Sequence, residues 1–547
     1  MQGVVRNAAT SEPLPRTLVR IEGDADTGAL TDGDGHFEIP AVPAGPQAIR
    51  LVKPGFRDRP YATEEVDNQV DGPAHSVLVS AQMPELTLTL APDGTIRGRV
   101  ELSTGDPATG ITVELLKQAI HNGRAVWMQD TLTRTNGDGT YRFPGLPDGI
   151  YAVYTLPALE SEPAVTAVAA GSGTNIARSG YPAVFYPDAR EFAGAGHIRL
   201  AAGEQAEANL LLTLEPFHTV TAFAATQAGG ARGSAAQRLM ATVSDATGRP
   251  TPYDAQYDDA THAIQASLPD GTYTLLVSGF QRQQFSGDGF AIAGRDMGRT
   301  GALVGSVDFV VAGHAVTGLR FPLAAPQTST VHLRYLRSTT SQTGAPTAAQ
   351  ENYGNNVSLL MDQADGLPQQ GETNASPLDG GQDAIDLTLT RPGAYWVGAY
   401  VQQKGWCAGS FTAGGVNLAR DPLVLGLSTS APVIDLTLRD DCATLALSLP
   451  PALAAFVPGE EPFYTVYVVP DFDTAEVVPP MTVHASSGPA LNVEGLTPGS
   501  YHVYTFTTPV RLEYRNPAAL AALSNAGQQV TLSPGAAGSL VLEVHEP

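Results

Sequence analysis

The sequence predicts an all-β protein, a tandem array of about five antiparallel β-sandwich modules. Three observations carry this. A proline-glycine turn opening a strand recurs five times, short β-branched and aromatic runs lie between Gly, Pro, Asn and Asp, and helical signals are almost missing. The turns are Val42-Pro43-Ala44-Gly45, Leu146-Pro147-Asp148-Gly149-Ile150-Tyr151, Leu268-Pro269-Asp270-Gly271-Thr272-Tyr273, Pro392-Gly393-Ala394-Tyr395 and Leu496-Thr497-Pro498-Gly499-Ser500-Tyr501. Four of the five continue as Gly-x-Tyr-x-(Val/Leu). They return roughly every 100–120 residues, the length of one small sandwich. A chain of 547 residues has room for about three to five domains, and the repeat selects the upper number.

Module one, residues 1–88, starts on the strand pattern Gly3-Val4-Val5 and reaches the hairpin Thr31-Asp32-Gly33-Asp34-Gly35-His36-Phe37. Module two, residues 89–215, repeats this with Gly98-Arg99-Val100 and Thr135-Asn136-Gly137-Asp138-Gly139-Thr140-Tyr141. Gly, Asp and Asn tolerate the positive φ that tight hairpins demand. In both modules the second hairpin glycine stands ten residues before the glycine of the later turn, so two turns and the strand between them are copied together. Module two also carries extra length from Ala158 to Gly196, expected as long loops or a partial strand pair.

Modules three (216–325), four (326–440) and five (441–547) keep the later turn, with looser hairpins such as Asp379-Gly380-Gly381 and Ser487-Gly488-Pro489. Runs such as Thr87-Leu88-Thr89-Leu90 and Asp435-Leu436-Thr437-Leu438 alternate as a half-buried strand requires. The best helical candidate is Pro517 to Leu523, an Ala-rich turn with Pro at its first position and Gly527 beyond its end.

These residues resemble the carboxypeptidase regulatory-like domain, a transthyretin-like β-sandwich. The resemblance runs from Gly3-Val4-Val5 through Lys53-Pro54-Gly55-Phe56, and again from Gly98-Arg99-Val100 through Thr155. In that family a Gly-x-Val strand leads to a Thr-Asp-x-x-Gly-x-Phe hairpin and then a Leu-Pro-x-Gly-x-Tyr turn; module one has Gln47 where the Tyr stands. The layout is similar to large secreted proteins of soil bacteria that string such domains together. Tyr186-Pro187-Asp188-Ala189 and Leu512-Glu513-Tyr514-Arg515-Asn516-Pro517 have counterparts there. The resemblance implies an Ig-like or transthyretin-like sandwich in an exported protein. A fibronectin-III or immunoglobulin-like sandwich is the alternative fold and gives the same architecture.

Composition excludes several classes. A net charge of −24 removes the counterion release that drives binding to nucleic acid. Lysine is confined to Lys53, Lys117 and Lys404, and the arginines form no cluster that would mark an anionic surface as partner. No apolar run reaches the ~18 residues of a membrane span. The chain starts directly on a strand pattern, so Met1 is read as a replacement start on a mature, exported protein.

Candidate chemistry is sparse. No His-Glu-x-x-His, Gly-x-Ser-x-Gly or Walker-type loop occurs, so neither catalytic residues nor cofactor nor metal are assigned. Asp24, Asp26, Asp32 and Asp34 superficially resemble a calcium loop but lack the terminal bidentate Glu, and turn chemistry accounts for Asp32 and Asp34. With Lys53 and Lys404 in expected loops, a Lys–Asn crosslink finds little footing. Cys407 and Cys442 flank about 35 residues of one module; a disulfide there would contribute roughly 3–4 kcal/mol, the alternative being two buried thiols.

Aromatics remain. If Tyr395, Val397 and Ala399 point inward, alternation puts Trp396 and Tyr400 on the outer face. The same logic turns Tyr504 and Phe506 outward from Tyr501, Val503 and Thr505. With Trp406, Tyr181, Phe185 and Tyr186, these are candidates for a ligand platform or for surfaces covered by a neighbouring module or subunit.

The expectation is a non-catalytic structural or adhesive protein, secreted to the extracellular space or cell surface. It would be a fibre subunit, elongated, that pairs strand edges with other copies or other cell-surface proteins, Gly3-Val4-Val5 being the natural donor. The alternative is an array of carbohydrate-binding modules that present exposed aromatics to polysaccharide.

Overall fold

The computed structural model describes residues 1–23, 27–58, 75–160, 178–225, 237–246, 249–258, 260–281, 302–324, 328–338, 357–364, 377–378, 384–388, 393–402, 404–425, 432–454, 458–484, 491–507, 510–523 and 525–546. The hairpins at Asp379-Gly380-Gly381 and Ser487-Gly488-Pro489, together with Asp24, Asp26 and Pro392, lie outside the described residues.

The chain is all-β, and its buried apolar side chains form five principal cores. They run from Val5 to Leu90, Ile96 to Leu212, Val220 to Phe321, Val331 to Leu438 and Ala443 to Leu542. We call the units around them modules one to five. In module one, the sheet His36–Glu38, Gln2–Asn7, Leu86–Pro92, Phe56–Arg57 faces the sheet Gly28–Leu30, Leu18–Ile21, Gly45–Val52, His75–Val79 across that core.

Each module closes in the same way. Its first long strand pairs parallel with its last: Gln2–Asn7 with Leu86–Pro92, Gly94–Leu102 with Leu210–Leu212, Glu215–Ala225 with Val316–Pro322, Thr328–Leu336 with Ile434–Arg439, and Ala443–Ser448 with Ala537–Val541. Most other pairings are antiparallel, as the alternating sequence requires.

The repeated turn has a physical cause. Tyr151, Tyr273, Tyr395 and Tyr501 are all buried. Three of their hydroxyls donate back four residues, Tyr151 to the Pro147 carbonyl (2.8 Å), Tyr273 to Pro269 (3.2 Å) and Tyr501 to Thr497 (2.5 Å). A buried phenol needs such a partner. The glycine two residues earlier makes room for the ring: a Cβ on Gly271 would stand 2.8 Å from the Tyr273 oxygen.

The copied hairpin is equally specific. Thr31 Oγ1 donates to the Leu14 carbonyl (2.5 Å) and accepts from the Thr17 amide (2.8 Å). Thr135 repeats this with Ala108 (2.5 Å) and Ile111 (3.0 Å). Gly35 and Gly139 adopt φ of 78° and 77°, where a Cβ would meet the Val5 or Val100 carbonyl at 2.7 or 2.6 Å. Asp32 accepts from the Asp34 and His36 amides, so its carboxylate serves the turn.

The helix spans Pro517–Ala521, with Asn516 capping the Ala518 amide at 3.1 Å. Cys407 and Cys442 are joined in a disulfide. In the extra segment of module two, Ala158–Leu159 pairs with Arg178–Tyr181, which continues onto Glu215–Ala225 of module three.

One expectation is overturned. Gly3-Val4-Val5 cannot be a free donor, because Gln2–Asn7 is flanked on both sides by His36–Glu38 and Leu86–Pro92, and Val4 and Val5 are buried. A strand's partners are set by tertiary pairing, which alternation along one strand does not reveal.

Candidate functional site: the junctions of module five

The modules do not simply follow one another. Module five touches modules one, two and four, and several buried polar side chains meet at these contacts.

The first junction is built on a hairpin. Thr112–His121 and Arg124–Arg134 pair through His121 and Arg124, leaving the two-residue loop Asn122-Gly123 at φ of 47° and 76°. Positive φ at both positions is the primed turn that matches strand twist, and Asn-Gly favours it. The tip of this hairpin enters between modules four and five. The Arg515 amide donates to the Gly123 carbonyl (2.9 Å), and the Asn122 side chain donates to Asp362 (2.8 Å). Any Cβ on Gly123 would lie 2.6 Å from the Tyr514 ring. Arg124 then lays its guanidinium 3.6 Å from the centre of the Trp396 ring and donates to the Ala419 carbonyl at 3.0 Å. Burial, helped by the nearby Arg515, pushes the Arg124 pKa down to about 10, against the pull of Glu513. Its cation is thus held by a ring face and a carbonyl.

The second junction ties module five to module four. Thr474 and Thr497 both donate to the Ala408 carbonyl (2.9 and 2.7 Å). The Ala475 amide donates to Gly409 (2.7 Å), and its carbonyl accepts from the Ala399 amide (2.9 Å). This short segment therefore bridges the strands Gly393–Val401 and Cys407–Ala413, which belong to different sheets of module four. Glu476 accepts from the Ala408 amide at 2.7 Å. Burial pushes its pKa up to about 8 despite that hydrogen bond, so near neutrality it is mainly a neutral acid.

The third junction joins module five to module one. Gly459–Glu460 adds to the edge strand His75–Val79 of module one, in antiparallel register Gly459 to Leu78 and Glu460 to Val77. The Glu461 amide continues the ladder to the Ser76 carbonyl at 2.8 Å. At the end of this seam His75 is held between two carboxylates: Nε2 lies 2.7 Å from Asp58 and Nδ1 lies 2.6 Å from Glu460. Its side chain is only 3% exposed. Burial lowers the imidazole pKa, but the hydrogen bonds and charges of Asp58 and Glu460 overcome this and push it up to about 9. The two carboxylates sit on opposite ring nitrogens, a geometry that binds an imidazolium rather than a shared metal ion.

The aromatics nominated from sequence go mostly to packing. Trp396 is covered by Arg124 of module two. Trp406 meets Tyr335 edge-on at 5.7 Å beside the core of module four. Tyr504 and Phe506 lie opposite Tyr501 and Val503 and are buried by Leu512, Tyr514, Leu520 and Leu523 of their own module. Phe185 stacks on Tyr154 at 4.7 Å, while Tyr181 and Tyr186 pack against the core of module two. Tyr400 differs, at 47% exposure. Sequence reasoning missed Arg124, His75, Glu460 and Glu476. The Asn122-Gly123 turn was missed as well; its dipeptide is a hairpin signal, but nothing local tells what its tip touches.

Residues 1–79 match the family model of the carboxypeptidase regulatory-like domain. The match covers the stretch that holds the Gly-x-Val strand and first copied hairpin. No curated protein matches the chain. Among solved structures, the Bacillus anthracis TIE protein aligns at 8% identity over 97% of this chain and 68% of that one, with a TM-score of 0.14. The minor pilin GBS52 of Streptococcus agalactiae gives 15% identity over 42% of this chain and 99% of its own, with a TM-score of 0.18. BcpA, the major pilin subunit of Bacillus cereus, gives 10%, 82%, 99% and 0.15 for the same measures. Identities and scores this low carry no inference about what the chain does.

Proposed function

We propose that this chain is a non-catalytic structural protein of the extracellular space or cell surface that associates with further copies of itself or with other surface proteins. The observation behind this reading is where its chemistry is used. Arg124, Trp396, Glu476, Thr474 and the His75 pair all hold one module to another. Imidazole–carboxylate pairs are spread over separate modules, His36 with Glu85, His218 with Asp270 and His502 with Asp471, rather than gathered in one cleft. The division into five modules, with boundaries near 88, 215, 325 and 440, belongs to the same proposal. Carbohydrate binding finds no platform in these aromatics, since one exposed ring, Tyr400, does not make a stacking surface.

The test is electron microscopy of the native secreted material, with light scattering on the purified chain over a range of concentrations. Filaments or defined oligomers are expected. Monomers at every concentration, together with turnover of any substrate, would remove the structural reading.

A further inference from the structure

One strand edge stands out once module five is in place: His75–Val79, covered by a segment that arrives from 385 residues away. We propose that this edge is the surface through which copies of the chain join, closed in the monomer by its own Gly459–Glu461 segment and open to the same segment of a second copy when that cover lifts. This rests on the structural reading above and gives it a defined surface.

Three observations carry the proposal. An edge strand offers a row of backbone donors and acceptors, and such a row pairs with any strand of suitable register. The register is already on display: Gly459 opposite Leu78, Glu460 opposite Val77, and the Glu461 amide on the Ser76 carbonyl. A second copy presents the identical segment and would make the identical bonds, so exchange needs no new contact.

The cover also has a release. Both ring nitrogens of His75 face carboxylate oxygens, Asp58 from beyond strand Phe56–Arg57 and Glu460 from module five. Both contacts are attractive only while both nitrogens carry protons. On the neighbouring strand Gly45–Val52, Ile49 stands opposite His75, and the adjacent Arg50 bonds Glu22. Arg57, beside Asp58, is paired with Asp93. Loss of one proton from the ring leaves a lone pair against a carboxylate and loosens the cover. A pKa near 9 places that loss in mildly alkaline solution.

The experiment uses two full-length variants, Ser76→Cys and Glu461→Cys, mixed in equal amounts. A disulfide between them can form only across two copies. Samples are held at pH 7 or at pH 10, returned to pH 7 under mild oxidation, and resolved without reductant. The expected result is a heterodimer that rises several-fold after the alkaline step, with the bond mapped to positions 76 and 461. Adding Glu460→Gln to both chains, a change at the edge of the seam that spares the core of module one, should raise the heterodimer at pH 7 without alkali. No heterodimer in either condition, with circular dichroism unchanged, overturns the proposed surface. If native filaments are nevertheless seen, the structural reading survives and only this edge is wrong; if the chain is monomeric throughout, both fall.

Discussion

Raising the pH through the range in which His75 loses its proton should detach module five from module one. In the unfolded chain this imidazole titrates near 6.5, and in the folded chain near 9. A folded pKa above the unfolded one means that stability is fully present below pH 6.5 and is lost as pH rises through 9. At about 1.4 kcal/mol per pH unit, the contribution is about 3 kcal/mol. The side chain is almost wholly buried, so solvent screening takes little from that figure. Histidine-selective ¹⁵N NMR of the native protein reads the titration directly, and both ring nitrogens should carry protons up to about pH 9. Urea unfolding of the wild type and of Glu460→Gln, compared from pH 6 to pH 10, reads the energy. The gap between the two should be widest at pH 6 and close by pH 10. A midpoint at or below 6.5, or a gap that widens with pH, would refute the reasoning.

Glu476 works with the opposite charge. Its folded pKa is raised from 4.5 to about 8, so the folded chain keeps a proton that the unfolded chain releases, and stability falls as pH rises from 4.5 to 8. Glu476→Gln should therefore stabilise the docking of modules four and five by about 3 kcal/mol at pH 7 and change little at pH 4, as calorimetry at the two pH values would show. Arg124→Ala removes the stack on Trp396 and the bond to Ala419. It should cost about 1–3 kcal/mol, seen as an earlier first transition in urea by tryptophan fluorescence. Replacing Cys407 and Cys442 by Ser unties module four from the start of module five and should cost roughly 3–4 kcal/mol, which limited proteolysis against the wild type would detect. Gly271→Ala should push Tyr273 off the Pro269 carbonyl and cost about 1–3 kcal/mol of module three in thermal unfolding.

What could be read from the sequence was local and periodic. Tyr151, Tyr273, Tyr395 and Tyr501 are inside because the turn before them fixes which face the next strand buries. The Thr31 and Thr135 hairpins were legible because their bonds close within about 30 residues. The cores came from alternation alone. The junctions did not, and the reason is distance along the chain. His75 and Glu460, or Arg124 and Ala419, are brought together by how modules dock, and no short window contains both partners. Tyr504 and Phe506 show the intermediate case. Their outward direction was readable, but the segment from Leu512 to Leu523 that covers them has an irregular pattern that does not announce its target.

The parallel pairing of first and last strands has a mechanical consequence. Because the two run in the same direction, the chain enters a module at one end and leaves it at the other. Tension applied along the polypeptide then drags the terminal strands past each other, and the five register pairs of module one, or the six of module four, must give way together rather than peel open singly. Where module four passes into module five the Cys407–Cys442 bond adds a stop: even after rupture, the 34 residues between the cysteines stay looped and contribute nothing to extension.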